Sequence, residues 1–138
     1  MFPRGGFVWD VRARKALGRT DRVTTKVPHA KASVYAVMPY EAKSVVLAAP
    51  ARAKAGDMLS LDVKLETSGA KAGTHVFNVR FVPPSGECRF HFKRNLTAAG
   101  GAAHLDFPLA LNDEKGLWKI FAEDAFTGLC AERTVVVE

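Results

Sequence analysis

Apolar and polar residues alternate through most of the chain beyond residue 44. Leu59, Leu61, Val63 and Leu65, for example, are each separated from the next by one polar residue. An alternation of period two places successive side chains on opposite faces of a strand, so this segment is predicted to be a β-strand with one buried face. The same reasoning predicts seven strands in this part of the chain, at residues 45–47, 59–65, 77–81, 88–92, 103–109, 118–122 and 134–137.

Segments rich in residues that favour turns separate the predicted strands. They occupy residues 54–57, 68–73, 83–86, 98–101, 112–116 and 124–128. No segment repeats its apolar residues with the 3.6-residue period of a helix. Seven short strands at regular spacing are typical of an antiparallel β-sandwich of the immunoglobulin-like type. The sequence therefore predicts an all-β fold with a complete sandwich at residues 44–138, and an up-and-down β-barrel is the alternative.

The first 43 residues also have strand patterns, but they predict too few strands for a domain. Residues 7–13 alternate with period two, and Leu17-Gly18 is predicted to form the turn that follows. Two more strands are predicted at residues 23–27 and 33–37. Three strands cannot close two layers around a core. These strands must therefore pack on the second part of the chain, pair with another copy, or complete a domain that begins outside this chain. We favour the last alternative and expect residues 1–43 to be a partial β-domain, formed by the closing strands of a preceding domain.

Composition and charge narrow the class of protein further. With 138 residues, 48% of them hydrophobic and 25% charged, the chain is an ordinary globular one that can bury a core. No apolar run approaches the roughly 20 residues of a membrane-spanning helix. The net charge of +6 is uneven, because residues 1–54 contain eleven Lys or Arg residues and only three Asp or Glu residues. Two cysteines exclude a disulfide-rich scaffold and a zinc site with more than two cysteine ligands.

The acidic residues do not mark a hydrolytic site. Asp113-Glu114 and Glu123-Asp124 are adjacent pairs, but both flank predicted turns, where acidic side chains cap the backbone and contact solvent. A glycosidase needs two carboxylates that face each other across a cleft, about 5–10 Å apart. The chain also lacks a G-x-S-x-G nucleophile motif, a phosphate-binding loop and a dinucleotide fingerprint. We therefore predict no catalytic and no cofactor-binding residues.

The histidines do not have the spacing of a metal site. The chain contains four of them, at His29, His75, His91 and His104. None has a ligand-like spacing to another histidine or to a cysteine. His91 and His104 fall on the solvent-facing positions of their predicted strands. We therefore predict no metal ligands and no cofactor.

Basic residues near the first predicted turn raise the question of nucleic-acid binding. The residues are Arg12, Arg14, Lys15, Arg19 and Arg22. An arginine-rich hairpin can contact phosphates. No aromatic stacking platform lies among these residues, however, and edge strands often carry lysine and arginine to prevent aggregation. The pattern therefore favours a solvated sheet edge, and nucleic acid is not the expected partner.

Aromatic residues and cysteines divide between the predicted core and the predicted surface. Trp118 is in phase with apolar neighbours and is expected to fill the sandwich core. Phe126 lies in a predicted turn, so it is the aromatic residue we expect to be exposed and to contact a ligand. Cys88 is in phase with two phenylalanines and is predicted to be a buried thiol. Cys130 lies early in the last strand, and the sequence leaves the disulfide state of the two cysteines open.

Two stretches resemble known protein families. The first is Trp9-Asp10-Val11-Arg12-Ala13-Arg14-Lys15-Ala16-Leu17-Gly18, followed by Tyr35-Ala36-Val37-Met38-Pro39-Tyr40. It resembles the closing strands of a β-domain that follows the catalytic barrel in bacterial beta-galactosidase-like glycoside hydrolases. The pattern there reads Asp-x-Arg-x-Gly-Lys-x-Leu-Gly, so Arg14 stands where the family has glycine. The resemblance implies that this chain is the C-terminal β-region of such an enzyme.

The second stretch runs from Gly116 through Gly128 to residues 134–137. It is similar to the last hairpin of macroglobulin-like and related bacterial immunoglobulin-like domains, in which a Gly-x-Trp strand ends at an Asp, turns through Thr-Gly and returns as an apolar strand. In this chain Asp124 would accept backbone N–H bonds in the turn, and Gly128 would take the positive φ beside it. The residues matched by both resemblances are structural and include no catalytic group.

Together these observations predict a non-catalytic, accessory β-sandwich from a larger bacterial glycoside hydrolase, which braces the enzyme or contacts polysaccharide. The alternative is a cell-surface adhesion or interaction module of the macroglobulin-like type. Expected partners are the remainder of the parent enzyme, a polysaccharide or a second copy of the chain, and no membrane. The parent would be periplasmic or secreted if it degrades polysaccharides. The sequence identifies neither the glycan nor the oligomeric state.

Overall fold

The computed structural model describes residues 5–27 and 29–138. Eleven strands and two short 3₁₀ helices lie in these residues. The strands are β1 (Gly6–Asp10), β2 (Lys15–Thr20), β3 (Tyr35–Met38), β4 (Tyr40–Ala48), β5 (Arg52–Ala53), β6 (Met58–Gly69), β7 (His75–Val82), β8 (Lys93–Ala98), β9 (Ala102–Pro108), β10 (Gly116–Asp124) and β11 (Cys130–Val137). Within the same residues, no helix has the length and apolar character needed to cross a membrane.

Strands β4 to β11 form a sandwich of two sheets. One sheet has the order β4-β6-β9, and the other has the order β5-β11-β10-β7-β8. Paired strands are antiparallel except for β5, which runs parallel to β11. Neighbours such as β6 and β9 are distant in sequence, as in immunoglobulin-like sandwiches and unlike an up-and-down barrel. The predicted all-β, immunoglobulin-like sandwich is therefore confirmed.

The apolar side chains of these alternating patterns fill the space between the two sheets. On β6, Leu61 and Val63 are 0% and 1% exposed, whereas Asp62 between them is exposed. Phe81 on β7 stacks on Phe107 of the facing sheet, with ring centroids 3.9 Å apart. Burying an apolar side chain of this size contributes about 1.5–3 kcal/mol. These contacts between sheets are the main source of the sandwich's stability.

The strand predicted at residues 88–92 is wrong. Phe90–Phe92 form a 3₁₀ helix, and β8 begins only at Lys93. Phe90 is 91% exposed while Phe92 is 5% exposed. A 3₁₀ helix has three residues per turn, so side chains two residues apart point in different directions and cannot share a buried face. Cys88, predicted to be buried with both phenylalanines, is only partly buried.

Strands β1 to β3 form a second antiparallel arrangement, which we call the small sheet, with the order β2-β1-β3. Residues 23–27 are not in a strand, so the prediction there is wrong. The second strand is instead Lys15–Thr20, which includes the predicted turn at Leu17-Gly18. Leu17 is an extra residue in the pairing of β2 with β1, and Gly18 has a φ of +79°. Glycine therefore serves a β-bulge here rather than a hairpin turn.

The small sheet and the sandwich share one hydrophobic core. Trp9 on β1 and Met38 on β3 are 8% and 7% exposed and belong to the same buried cluster as the sandwich residues. Tyr40, the first residue of β4, is also buried in this cluster. The expected boundary between residues 43 and 44 lies inside β4, and the division into two domains stays a prediction.

Candidate functional site

A cavity of about 350 Å³ lies where the small sheet meets the sandwich. Strand β3 forms one wall, the start of β7 forms another, and the turn between β10 and β11 closes one side. Its lining residues are Ala36, Val37, Met38, Pro39, Tyr40, Lys71, Gly73, Thr74, His75 and Phe126. We call this space the junction pocket.

A chain of buried hydrogen bonds lies beside the junction pocket. The Tyr40 hydroxyl lies 2.8 Å from Nε2 of His75, and Nδ1 of His75 lies 2.7 Å from a carboxylate oxygen of Asp124. The backbone N–H of Gly73 donates to the Tyr40 oxygen at 2.9 Å. His75 and Asp124 are 1% and 0% exposed. Three strands, β4, β7 and β10, therefore meet through polar side chains in an otherwise apolar core.

Simple proton counting fixes the direction of each hydrogen bond when Asp124 is ionised and His75 is neutral. An ionised carboxylate only accepts, so Nδ1 of His75 carries the proton and donates it to Asp124. Nε2 then accepts, and the Tyr40 hydroxyl donates to it. The Tyr40 oxygen in turn accepts from the N–H of Gly73. Every proton of this hydrogen-bonded network is then engaged, and the network joins strands β4, β7 and β10.

Asp124 also organises the turn between β10 and β11. Its second oxygen accepts the backbone N–H of Thr127 at 3.0 Å and the Thr127 hydroxyl at 2.6 Å. Gly128 follows with a φ of +74°, and its N–H donates to the Asp124 carbonyl at 2.8 Å. A buried carboxylate is tolerated only when its oxygens are hydrogen-bonded, and here both oxygens are. This geometry is the one that the sequence pattern implied for Asp124 and Gly128.

Phe126 lies at the tip of the same turn. It is 36% exposed, and its ring meets the His75 ring edge-on at a centroid distance of 5.3 Å. The exposed part of the ring lines the junction pocket. The structure therefore brings Phe126, the expected ligand contact, next to Asp124. Trp118 lies away from this site in the sandwich core, 1% exposed, where its indole N–H donates to the carbonyl of Glu114 at 2.7 Å.

Arg14 lies in the turn between β1 and β2, and its side chain contacts the turn between β10 and β11. Its guanidinium forms an ion pair with Glu123 at 2.9 Å, and its side chain lies directly over Gly128. A Cβ added at Gly128 would stand 2.9 Å from the Arg14 side chain. Arg14 itself has a φ of +52°, a conformation that favours glycine. That is the position at which the resembled glycoside hydrolase pattern has glycine.

A histidine and two aspartates also lie close together on the exposed face of β6 and β9. His104 contacts Asp62 at 2.8 Å and Asp106 at 3.1 Å. These hydrogen bonds, first that to Asp62, raise the pKa of His104 above its ordinary value. Hydrogen bonds from Ser60 and His104 lower the pKa of Asp106. Within residues 5–27 and 29–138, no group of three such side chains has a geometry that could hold a metal ion.

The two cysteines are not joined. Cys88 is partly buried and Cys130 is exposed, and both are free. Although the residue is exposed, partial desolvation of the Cys130 thiol, and after it the charge of Glu123, raises its pKa. A thiol with a raised pKa is largely protonated at neutral pH and is a poor nucleophile. Neither cysteine adds a reactive group to the junction pocket.

Sequence reasoning missed His75 and Tyr40 as members of the site. The sequence places Tyr40 in the predicted partial domain, and His75 is one of four histidines without a metal-like spacing. One signal was available, because His75 is two residues before Phe77 and so has the phase of a buried strand position. A buried histidine needs a polar partner. The partners, 35 and 49 residues away, are not visible in the local pattern.

No protein-family model matches this sequence, and no curated protein matches it either. Among solved structures, the chain is similar to superoxide reductase (neelaredoxin) from Ignicoccus hospitalis, with a TM-score of 0.51, 14% identity, and coverage of 70% of this chain and 82% of that chain. It is also similar to the CARDB domain of the PF1109 protein from Pyrococcus furiosus, solved in complex with di-metal ions, with a TM-score of 0.49, 11% identity, and coverage of 69% and 86%.

A third similarity is to a β-glucosidase from Listeria innocua, with a TM-score of 0.45, 18% identity, and coverage of 71% of this chain but only 16% of that chain. Identities this low indicate a shared fold alone. The class that the sheet topology defines is the immunoglobulin-like β-sandwich.

Proposed function

We propose that this chain is a non-catalytic accessory module of a larger glycoside hydrolase-like protein, in which it braces a preceding catalytic region. The sandwich is the rigid part of the brace. The small sheet is the part that continues into the preceding region.

The observation that carries this proposal is the way the small sheet is packed. Within the described residues it has three strands and no second sheet packed on it, and it buries Trp9 and Met38 in the core of the sandwich. Its central strand is buried, but the edge strand β2 is exposed along nearly all of its length, including the apolar side chain of Leu17. A sheet that is fixed at its central strand and has an open edge strand is suited to join two bodies.

The junction pocket supports a role without catalysis. Tyr40, His75 and Asp124 have the order of a hydroxyl, an imidazole and a carboxylate, as in nucleophilic hydrolases. In those enzymes the hydroxyl faces the substrate. Here Tyr40 is 4% exposed, and the backbone N–H of Gly73 donates to its oxygen while its hydroxyl lies within hydrogen-bond distance of His75, which leaves little of that oxygen open to a substrate. This arrangement favours a structural clamp between the two parts of the chain.

The size of the native protein tests this proposal. An antibody against the purified chain is used to probe extracts and medium of the source organism, and the captured protein is assayed with aryl glycosides. We expect one band far above 15.0 kDa, with glycosidase activity in the captured fraction. A single band at 15.0 kDa would overturn the accessory role. A large band without glycosidase activity would overturn the glycoside hydrolase parent and favour the adhesion-type module.

A further inference from the structure

A second cleft, of about 320 Å³, lies at the outer end of the small sheet. The turn after β1 forms one side, and the segment before β3 forms the other. Three cationic side chains line it, those of Arg12, Lys26 and Lys31. A backbone hydrogen bond from Val11 to the carbonyl of Val34, 3.0 Å long, holds the two sides together. We call this space the basic cleft.

The charge of the basic cleft is not neutralised by the protein. Within residues 5–27 and 29–138, no carboxylate lies within ion-pair distance of Arg12, Lys26 or Lys31. Asp10 also lines the cleft, but one of its oxygens accepts the backbone N–H groups of Arg12 and Ala13, at 3.1 and 2.9 Å. That carboxylate shapes the turn and also contributes one negative charge to the cleft. Three cations against one carboxylate leave the concave space with a net positive charge, which attracts an anion.

The remaining lining of the cleft suits a sugar. Tyr35, which is half-buried, contributes an aromatic ring, and Thr25 and Ser33 contribute hydroxyl groups. Aromatic rings pack on the apolar faces of sugars, and hydroxyl groups both donate and accept hydrogen bonds. We propose that the basic cleft binds an acidic sugar residue, carrying a carboxylate or a sulfate, within a polysaccharide. This inference rests on the proposed function, because it supplies the class of glycan that the accessory module would contact.

Nucleic acid fits the same cleft less well. Binding a single strand uses a row of cations that follows successive phosphates, together with several aromatic rings on which bases stack. The basic cleft has cations converging on one space and one aromatic ring. A compact site of this kind matches one charged residue of a chain better than a continuous charged backbone.

Binding to charged and uncharged forms of one polysaccharide tests the inference. Dissociation constants of the full chain are measured at about 0.15 M salt, near physiological ionic strength, for polygalacturonate, fully methyl-esterified polygalacturonate and dextran sulfate. The esterified form keeps the sugar chain and removes its charge. We expect binding to polygalacturonate or to dextran sulfate, which distinguishes a carboxylate from a sulfate ligand, and no binding to the ester. Equal binding to the ester, or no binding to either charged polysaccharide, would overturn the inference.

A matched pair of variants separates the cleft from the general positive charge of the chain. Lys26→Gln/Lys31→Gln removes two cations from the cleft, whereas Lys54→Gln/Lys93→Gln removes two exposed cations from the sandwich. We expect the first variant to weaken binding about tenfold and the second less than about twofold. Equal losses in both variants would overturn the inference, because the binding would then follow net charge.

A third measurement addresses nucleic acid and folding. A single-stranded DNA oligonucleotide that binds as tightly as the polysaccharide, with the same dependence on Lys26 and Lys31, would overturn the inference in favour of a phosphate ligand. Thermal unfolding of each variant serves as the folding control, and both lysine pairs are exposed, so no change is expected. A failure to bind polysaccharide would not change the size of the native protein. The acidic-sugar site and the accessory role can therefore be overturned independently.

Discussion

At the scale of single residues, the junction depends on polar groups that water cannot reach. Removing one partner of a buried polar group leaves the other unsatisfied, at a cost of about 1–3 kcal/mol. Tyr40 is the residue where this cost is easiest to isolate, because its ring packs in the core while its hydroxyl joins His75 and Gly73. Replacing it by phenylalanine keeps the ring and removes only the hydroxyl.

We therefore expect Tyr40→Phe to lower the free energy of unfolding by about 1–3 kcal/mol, because His75 and the N–H of Gly73 both lose their partner. The measurement is urea unfolding followed by tryptophan fluorescence. Tyr35→Phe is the matched control, since the Tyr35 hydroxyl makes no hydrogen bond within the residues that the structure describes, and it should change stability by less than about 0.5 kcal/mol. Equal effects of the two substitutions would show that the buried hydrogen bonds contribute nothing.

The turn residues of the site could be predicted from sequence, whereas its centre could not. Asp124 and Gly128 follow a local rule, in which a carboxylate accepts N–H groups three residues on and a glycine takes the positive φ. Phe126 lies between them at 36% exposure, whereas Thr127 in the same turn is 2% exposed, so the turn alone does not decide which side chain is exposed. The phase of His75 indicates a buried strand position, but its partners come from two other strands, and no local pattern identifies them.

At the scale of elements, the segment before β8 shows where alternation misleads. Cys88, Phe90 and Phe92 alternate with polar residues and predict a strand, yet the chain forms a 3₁₀ helix at this point. Phe92 is buried in the core, where it meets Trp118 edge-on at a centroid distance of 5.1 Å, Cys88 packs against the core while partly exposed, and Phe90 is exposed. A period of two over three apolar positions is too short to decide between a strand and a 3₁₀ helix.

Alanine substitutions distinguish the two structures directly. Phe92→Ala should lower the free energy of unfolding by about 3–5 kcal/mol, because it empties a buried ring site. Phe90→Ala should change it by less than about 0.5 kcal/mol, since that side chain is exposed. Chemical denaturation of the two variants under the same conditions provides the comparison. A strand at residues 88–92 would make both substitutions costly, and that outcome would contradict the observed helix.

At the scale of the whole molecule, the all-β class and the sandwich follow from the sequence, but the docking of the small sheet does not. Alternation and turn spacing determine how many strands form and which faces are buried. Because the first three strands cannot enclose a core, the sequence leaves three arrangements open for them, of which packing on the second part of the chain is one. The structure shows Trp9 and Met38 inside the sandwich core and Arg14 paired with Glu123. Contacts of this kind join segments that are distant in sequence, so the periodicity of apolar residues does not predict them.

The central claim is that the small sheet and the sandwich form one body, and the two tryptophans provide a test. Trp9 lies in the small sheet and Trp118 in the sandwich, so their indole N–H resonances report on the two parts within one sample. Both native resonances should disappear at the same urea concentration, as a single cooperative transition requires. Loss of the native Trp9 resonance at a lower urea concentration, while that of Trp118 remains, would contradict the shared core.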